Sequence, residues 1–216
     1  MSTNTDCRRC GTCCKKGGPS FHHEDKNLIE EGSILLKYLY TIRKGETVYD
    51  NVKGTLQITD SDIIKIKSQK GSSSCIFFNA TDKECKIYEN RPVECKVLNC
   101  RDTAEIEQIY HKNRLTRKEL ISGVPDLLEL IESHQERCDY NLIRNLAKER
   151  DTDQREESLK NIFEMIQYDN HIRLLITEKG NIAPDMTDFL FGRPLRETIR
   201  SFGLKIEKNC LHFINK

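Results

Sequence analysis

Cys7-Arg8-Arg9-Cys10-Gly11-Thr12-Cys13-Cys14 near the start, with Cys75-Ile76-Phe77-Phe78, Cys85-Lys86-Ile87-Tyr88, Arg91-Pro92-Val93-Glu94-Cys95 and Cys100 further on, holds eight of the ten cysteines. Cys7, Cys10 and Cys13 are separated by two residues each. At that interval one tight turn can aim several sulfurs at a common centre, as zinc and iron-sulfur sites require. Cys14 adds a sulfur beside Cys13. Neighbouring side chains in a loop usually diverge, so either the two serve different metals or only one is a ligand, and the sequence leaves both open.

Outward from these clusters, Lys15-Lys16-Gly17-Gly18-Pro19 reads as a turn, and Glu24 to Glu31 as a short helix stopped by Gly32. Between Leu35 and Lys67, short apolar pieces (Leu36-Leu39-Tyr40, Val48-Tyr49, Leu56-Ile58 and Ile63-Ile64-Ile66) alternate with turn residues, which predicts strands. Ile76-Phe77-Phe78 and Cys85-Lys86-Ile87-Tyr88 flank a polar turn and predict a hairpin that brings Cys75 and Cys85 together across its ladder. Pro92 suits the first position of a short helix bearing Cys95, with Cys100 just beyond its end.

From Asp102 the pattern turns helical. Asp102 to Glu105 and Thr116 to Glu119 have capping-box spacing, Pro125 opens a run with Leu127, Leu128 and Ile131 on one side, and Asp139 precedes Leu142, Ile143 and Leu146. The charged stretch from Lys148 to Glu157 predicts a solvated loop before Leu159, Ile162, Phe163 and Ile166 resume helical spacing. Pro184 and Pro194 open two further short helices closed by Gly192 and Gly203, and Leu204-Lys205-Ile206 reads as a strand.

Composition bounds the function. Apolar residues make up 37% of the 216-residue chain, charged residues 32%, and Trp is absent; the core is modest, and a metal would help hold the cysteine-rich half together. A net charge of +1 leaves no electrostatic footprint for a nucleic-acid or membrane-surface partner. No stretch approaches about eighteen continuous apolar residues, and the first twenty contain no apolar signal core, so the expectation is a cytoplasmic protein. In a reducing compartment, cysteines at this spacing read as metal ligands rather than as a disulfide framework. His22 and His23 could complete a mixed site, but a polar turn predicts them exposed. His134 and Cys138, four apart on a helix, can share one metal, although Leu127 and Ile131 on the same side favour packing. Cys210 is expected to be buried or idle.

With C-x-x-C-G-x-C-C and C-x-F-F … C-x-I-Y-x-x-R-P-x-x-C-x-x-x-x-C both present, the chain resembles the YkgJ-like cysteine-cluster family, described as a zinc- or iron-chelating domain and also as an iron-sulfur-cluster protein. The resemblance implies a metal-chelating module with Cys7, Cys10, Cys13, Cys14, Cys75, Cys85, Cys95 and Cys100 as candidate ligands, and Arg91-Pro92 matches the family's arginine-proline pair. One branch is associated with flagellin lysine methylation. This sequence has no glycine-rich strand-to-helix loop of the kind that binds nucleotide-like cofactors, and no catalytic triad, phosphate loop or metalloprotease motif.

The spacing of the first cluster resembles the run that wraps a cluster in bacterial ferredoxins, whereas zinc ribbons pair two C-x-x-C knuckles and the second half here has none, so it leans toward iron. Arg8, Arg9, Lys15, Lys16, Lys83, Lys86, Arg91, Lys96 and Arg101 surround the cysteines and would offset thiolate charge, or lie simply solvated on the surface. The resulting expectation is an α+β protein with a cysteine-cluster metal-binding domain of short strands and helices over residues 1–103 and a mainly helical domain over 104–216. Its centre would be an iron-sulfur cluster serving electron transfer or a partner enzyme. The alternatives are a structural zinc interaction module and, third, a metal-dependent protein-modifying enzyme.

Overall fold

A computed structural model of the protein describes Cys7 and residues 9–214, so Arg8 of the basic set lies outside the described residues. The chain forms two compact units. One comprises the described residues up to Tyr40 together with Ile63–Leu120; the other comprises Thr41–Asp62 and the described residues from Ile121 onward. The chain therefore passes between units after residues 40, 62 and 120, where the sequence suggested one cut near residue 103. The difference has a physical reason: Leu115 is fully buried and its N–H bonds the Phe21 carbonyl at 3.0 Å, which keeps residues beyond 103 with the first unit.

Helix and strand are mixed, as the α+β expectation has it. The described sheets are all two-stranded: Leu39–Ile42 with Ile63–Ile66, Thr47–Asp50 with Thr55–Ile58, Phe78–Asn79 with Glu84–Cys85, and Leu204–Glu207 with Cys210–Phe213. In the first unit, Phe21, Ile34, Leu39, Ile64, Ile66 and Phe78 are buried. Small helices decorate this core. His23–Asp25 and Lys26–Glu30 form the helical turn that Gly32 stops, and Val93–Val97 begins directly after Pro92, which stands at the N-cap rather than inside the first turn. The Thr116 capping box forms in both directions, with Thr116 N–H on Glu119 Oε2 at 2.8 Å and Glu119 N–H on Thr116 Oγ1 at 3.4 Å.

The second unit follows its sequence signals closely. Pro125 opens Pro125–Arg137, and Asp139 accepts the Asn141 and Leu142 N–H groups to cap Tyr140–Leu146. Arg155–Glu178 then runs for 24 residues. Around it Cys138, Tyr140, Ile143, Ile162, Ile166, Leu195, Leu204 and Phe213 make a continuous core. Gly192 is required where it stands: its φ of +75° favours glycine, and a side chain there would meet Arg43 Cγ at 2.6 Å.

One buried carboxylate joins these helices. Asp169 has no exposure; its Oδ1 lies 2.8 Å from His134 Nε2 and accepts Arg173 Nε at 3.1 Å, while its Oδ2 accepts Leu195 N–H at 2.9 Å. Arg173 extends the network to the carbonyls of Thr187, Phe191 and Gly192. Burial holds His134 down to about 4, outweighing the opposite pull of Asp169. For Asp169 burial acts upward, but the His134 hydrogen bond and the Arg173 charge prevail and hold it at about 2.

Both folded values lie below the ordinary ones, so protons favour the unfolded chain. The contribution of His134 is complete above its ordinary value of about 6.5 and is lost as pH falls toward about 4; that of Asp169 is lost between about 4 and about 2. Hydrogen exchange of the Pro125–Arg137 amides should show the opening free energy declining from pH 6.5 to 4. His134→Gln, which still donates to Asp169 but does not titrate there, should flatten that slope.

Candidate metal centre

The first unit gathers both cysteine groups. Gly11 turns the chain with φ +75° and lies against the tip of the Phe78 ring, so that any β-carbon would collide with Phe78 Cζ. Behind that turn, Lys15 N–H bonds the Gly11 carbonyl at 3.0 Å and Cys14–Lys16 forms one helical turn. Two bonds stitch this turn to the second group: Cys75 N–H donates to the Cys14 carbonyl at 2.7 Å, and Ser73 Oγ to the Lys15 carbonyl at 2.6 Å. Cys85 pairs with Phe78 across the small hairpin. Cys75 is near enough to feel the Cys85 charge, as the hairpin reading expects, although it precedes the strand and bridges Ser68 rather than standing opposite Cys85 in the ladder. Cys95 rides on the helix Val93–Val97, and Cys100 follows it.

The adjacent thiols do not diverge: Cys13 Sγ and Cys14 Sγ lie 3.9 Å apart. The Cys14 thiol stabilises the Cys13 thiolate and brings Cys13 down to about 6, while Cys14 is driven up by the same bond. Cys13 is the electrostatic centre of the group, since its charge acts on Cys10, Cys14, Cys75, Cys85, Cys95 and Cys100. The charge of Cys7 in turn acts on Cys85 and Cys100. Thr12, 3.3 Å from Cys10 Sγ, favours the Cys10 thiolate. Burial raises Cys75, Cys85, Cys95 and Cys100, with neighbouring thiolates adding to it.

Exposure grades across the set. Cys7, Cys10 and Cys100 are exposed, Cys13, Cys14, Cys85 and Cys95 are half-buried, and Cys75 is buried. Arg91 spans part of this gradient: its Nε donates to the Tyr88 carbonyl at 2.7 Å, its guanidinium lies 3.7 Å from the Tyr88 ring centre, and its charge lowers Cys85 against burial. Arg9 covers the same ring at 4.3 Å. Soft sulfur donors edged by cations suit zinc, iron or an iron-sulfur cluster, and a centre ringed by thiolates would be stabilised by those cations. By donor chemistry the residues present fit such a group, although among the described residues no three of these sulfurs lie within 4.8 Å of one another.

The other candidates separate. His23 is exposed and pairs with Glu119 at 3.0 Å, as a polar turn predicts. His22 is buried, contrary to that expectation, because Lys112 O and Glu94 supply partners for both its ring nitrogens. Cys210 is exposed at the start of its strand rather than buried. In the second unit His134, Cys138 and Asp169 bring one potential donor atom each within 4.8 Å of one another. Asp169 is the member that sequence spacing could not supply. Three donors already occupy its oxygens, the charges of Arg43 and Arg173 act on the group, and burial pushes the Cys138 thiol up to about 12. Those features make it a closed polar network, and a dication would face two guanidinium groups there.

A family model, CxxCxxCC, described as "Putative zinc- or iron-chelating domain", matches residues 6–139. No curated protein and no solved structure matches the chain.

Gly11→Ala should disable the centre without touching a sulfur. The left-handed conformation costs an L-residue about 1–2 kcal/mol, and the methyl group displaces the Phe78 ring from the turn. Elemental analysis should find metal per chain reduced well below wild type, whereas Gly71→Ala, which has the same sign of φ but meets nothing, should retain it.

Proposed function

The chain belongs to the CxxCxxCC family of zinc- or iron-chelating domains, and from that premise we propose that its eight clustered cysteines hold an iron-sulfur centre that serves electron transfer or supports a partner enzyme. The observation that supports this reading is that one unit gathers Cys7, Cys10, Cys13 and Cys14 with Cys75, Cys85, Cys95 and Cys100: the Cys75 N–H meets the Cys14 carbonyl at 2.7 Å, and Cys13 Sγ and Cys14 Sγ lie 3.9 Å apart. Such a cluster, when bound, supplies one-electron chemistry without needing a substrate pocket.

The protein's own residues divide the work. Cys13, already a thiolate near neutral pH, is the first sulfur available to an incoming cation. The thiols held above their ordinary values must give up protons as they bind, so retention weakens as pH falls. Arg91 and Arg9 both lie over the Tyr88 ring, and Arg91 brings positive charge beside Cys85. The exposed edge formed by Cys7, Cys10 and Cys100 is where a redox partner would approach.

A structural zinc site is the second reading, and one distance favours it. Four sulfurs about 2.3 Å from zinc in a tetrahedron stand about 3.8 Å from one another, close to the 3.9 Å between Cys13 and Cys14. Anaerobic purification separates the two. The iron-sulfur reading expects inorganic sulfide, a brown protein and bleaching by dithionite; colourless protein with stoichiometric zinc from iron-replete cells would favour the second. Under either metal, Cys10→Ser and Cys75→Ser should both lose metal, while Cys210→Ser should keep it, as measured by elemental analysis.

A further inference from the structure

Glu94 is nearly buried, stands one residue before Cys95, and is not among the candidate ligands. Its Oε2 accepts the Ser20 N–H at 2.7 Å and its Oε1 faces His22 Nε2 at 3.1 Å. The other His22 nitrogen lies 2.7 Å from the Lys112 carbonyl oxygen, so both ring nitrogens meet acceptors. A second carboxylate works in the reverse direction. Asp25 Oδ1 accepts the Val93 N–H at 2.8 Å, the first of the helix Val93–Val97, and Asp25 Oδ2 accepts the His22 N–H at 3.1 Å. Lys65 Nζ completes the group by donating to Ser20 Oγ at 3.2 Å.

Ser20, His22 and Asp25 belong to the segment that leaves the first cysteine group at Cys14. Val93 and Glu94 belong to the helix that carries Cys95 and leads to Cys100. Each segment thus supplies a carboxylate that takes a backbone N–H of the other. Apolar side chains could fill the same space, but they would leave the helix free to slide or rotate, whereas directional bonds to two N–H groups fix both its distance and its rotation. Rotation matters because it decides where Cys95 Sγ points.

We propose that Glu94 and Asp25 are positioning residues of the metal centre: without being ligands, they hold the Cys95 helix in register with the Cys7–Cys14 segment, and metal retention depends on them. This inference rests on the metal-binding reading above. Partners that orient metal ligands without touching the metal commonly change affinity ten- to a hundredfold when removed.

The test uses the full chain prepared anaerobically with whatever metal it retains. Elemental analysis gives metal per chain, a competing chelator at constant pH gives the stripping rate, and absorption reads the thiolate-to-metal band. Glu94→Ala should strip about ten to a hundred times faster than wild type and shift the band. Glu94→Gln and Asp25→Asn, which keep shape and one acceptor oxygen, should fall between, and they decide the matter if Glu94→Ala does not fold. Ile143→Ala, a core truncation in the second unit, should lower the melting temperature and leave stripping and spectrum unchanged. Wild-type stripping and spectrum in Glu94→Gln and Asp25→Asn would overturn the proposal, as would an equal acceleration in Ile143→Ala. A wild-type protein without metal would instead remove the metal-binding reading itself.

Discussion

Thiolate repulsion is the constraint around which the first unit is built. Charges at Cys7, Cys10, Cys13 and Cys85 each disfavour ionisation of a neighbouring cysteine. Eight sulfurs therefore stay together as thiolates only if cations accompany them, and otherwise hold their protons. The backbone brings them together regardless of that penalty, through the Gly11 turn against Phe78, the Cys75 to Cys14 hydrogen bond, and the helix after Pro92. Cys13 and Cys10 are the exceptions that make the group usable: the Cys14 thiol, with Cys100 adding to it, stabilises the Cys13 charge, and Thr12 that of Cys10.

The second unit solves a different problem with a different charge. Its long helix Arg155–Glu178 needs fixed partners, and Asp169 supplies them by accepting from a histidine, an arginine and a helix-start N–H at once. A carboxylate with three donors can remain ionised with no exposure. The same saturation disfavours a cation site: donor atoms near one another are not enough when their lone pairs are taken and guanidinium groups lie close by. His134 and Cys138 have helical metal-ligand spacing, yet packing prevails there, whereas the loop cysteines, whose sequence spacing is less regular, form the group with open sulfur valence.

Much of this was legible in the sequence, for physical reasons that differ by element. Proline and glycine punctuation found the helices after Pro125, Pro184 and Pro194 and their stops at Gly192 and Gly203, because those residues restrict or widen φ locally. Alternating apolar pieces found the strands between Leu39 and Ile66. The cysteine spacings drew attention to both halves of the candidate centre. What stayed hidden was long-range: that Cys85 would face Phe78 and not Cys75, that His22 would be buried by partners 72 and 90 residues away, and that Asp169 would meet His134. None of these leaves a periodic trace, since each depends on how separate segments pack. The last strand, Cys210–Phe213, was also missed, with only a Lys208-Asn209 turn in positive φ to announce it.

The interleaving of the two units also sets an order of events during synthesis. Cys100 is the last clustered sulfur to leave the ribosome, and the first unit is covalently complete by Leu120. The Thr47–Ile58 segment, which presents Tyr49 and Leu56 on one face, has by then already emerged, but the rest of its unit begins only at Ile121. A nascent chain thus holds all eight clustered cysteines while only the smaller segment of the second unit, Thr41–Asp62, has been made. The candidate centre is assembled from chain that is complete before most of the second unit has been made.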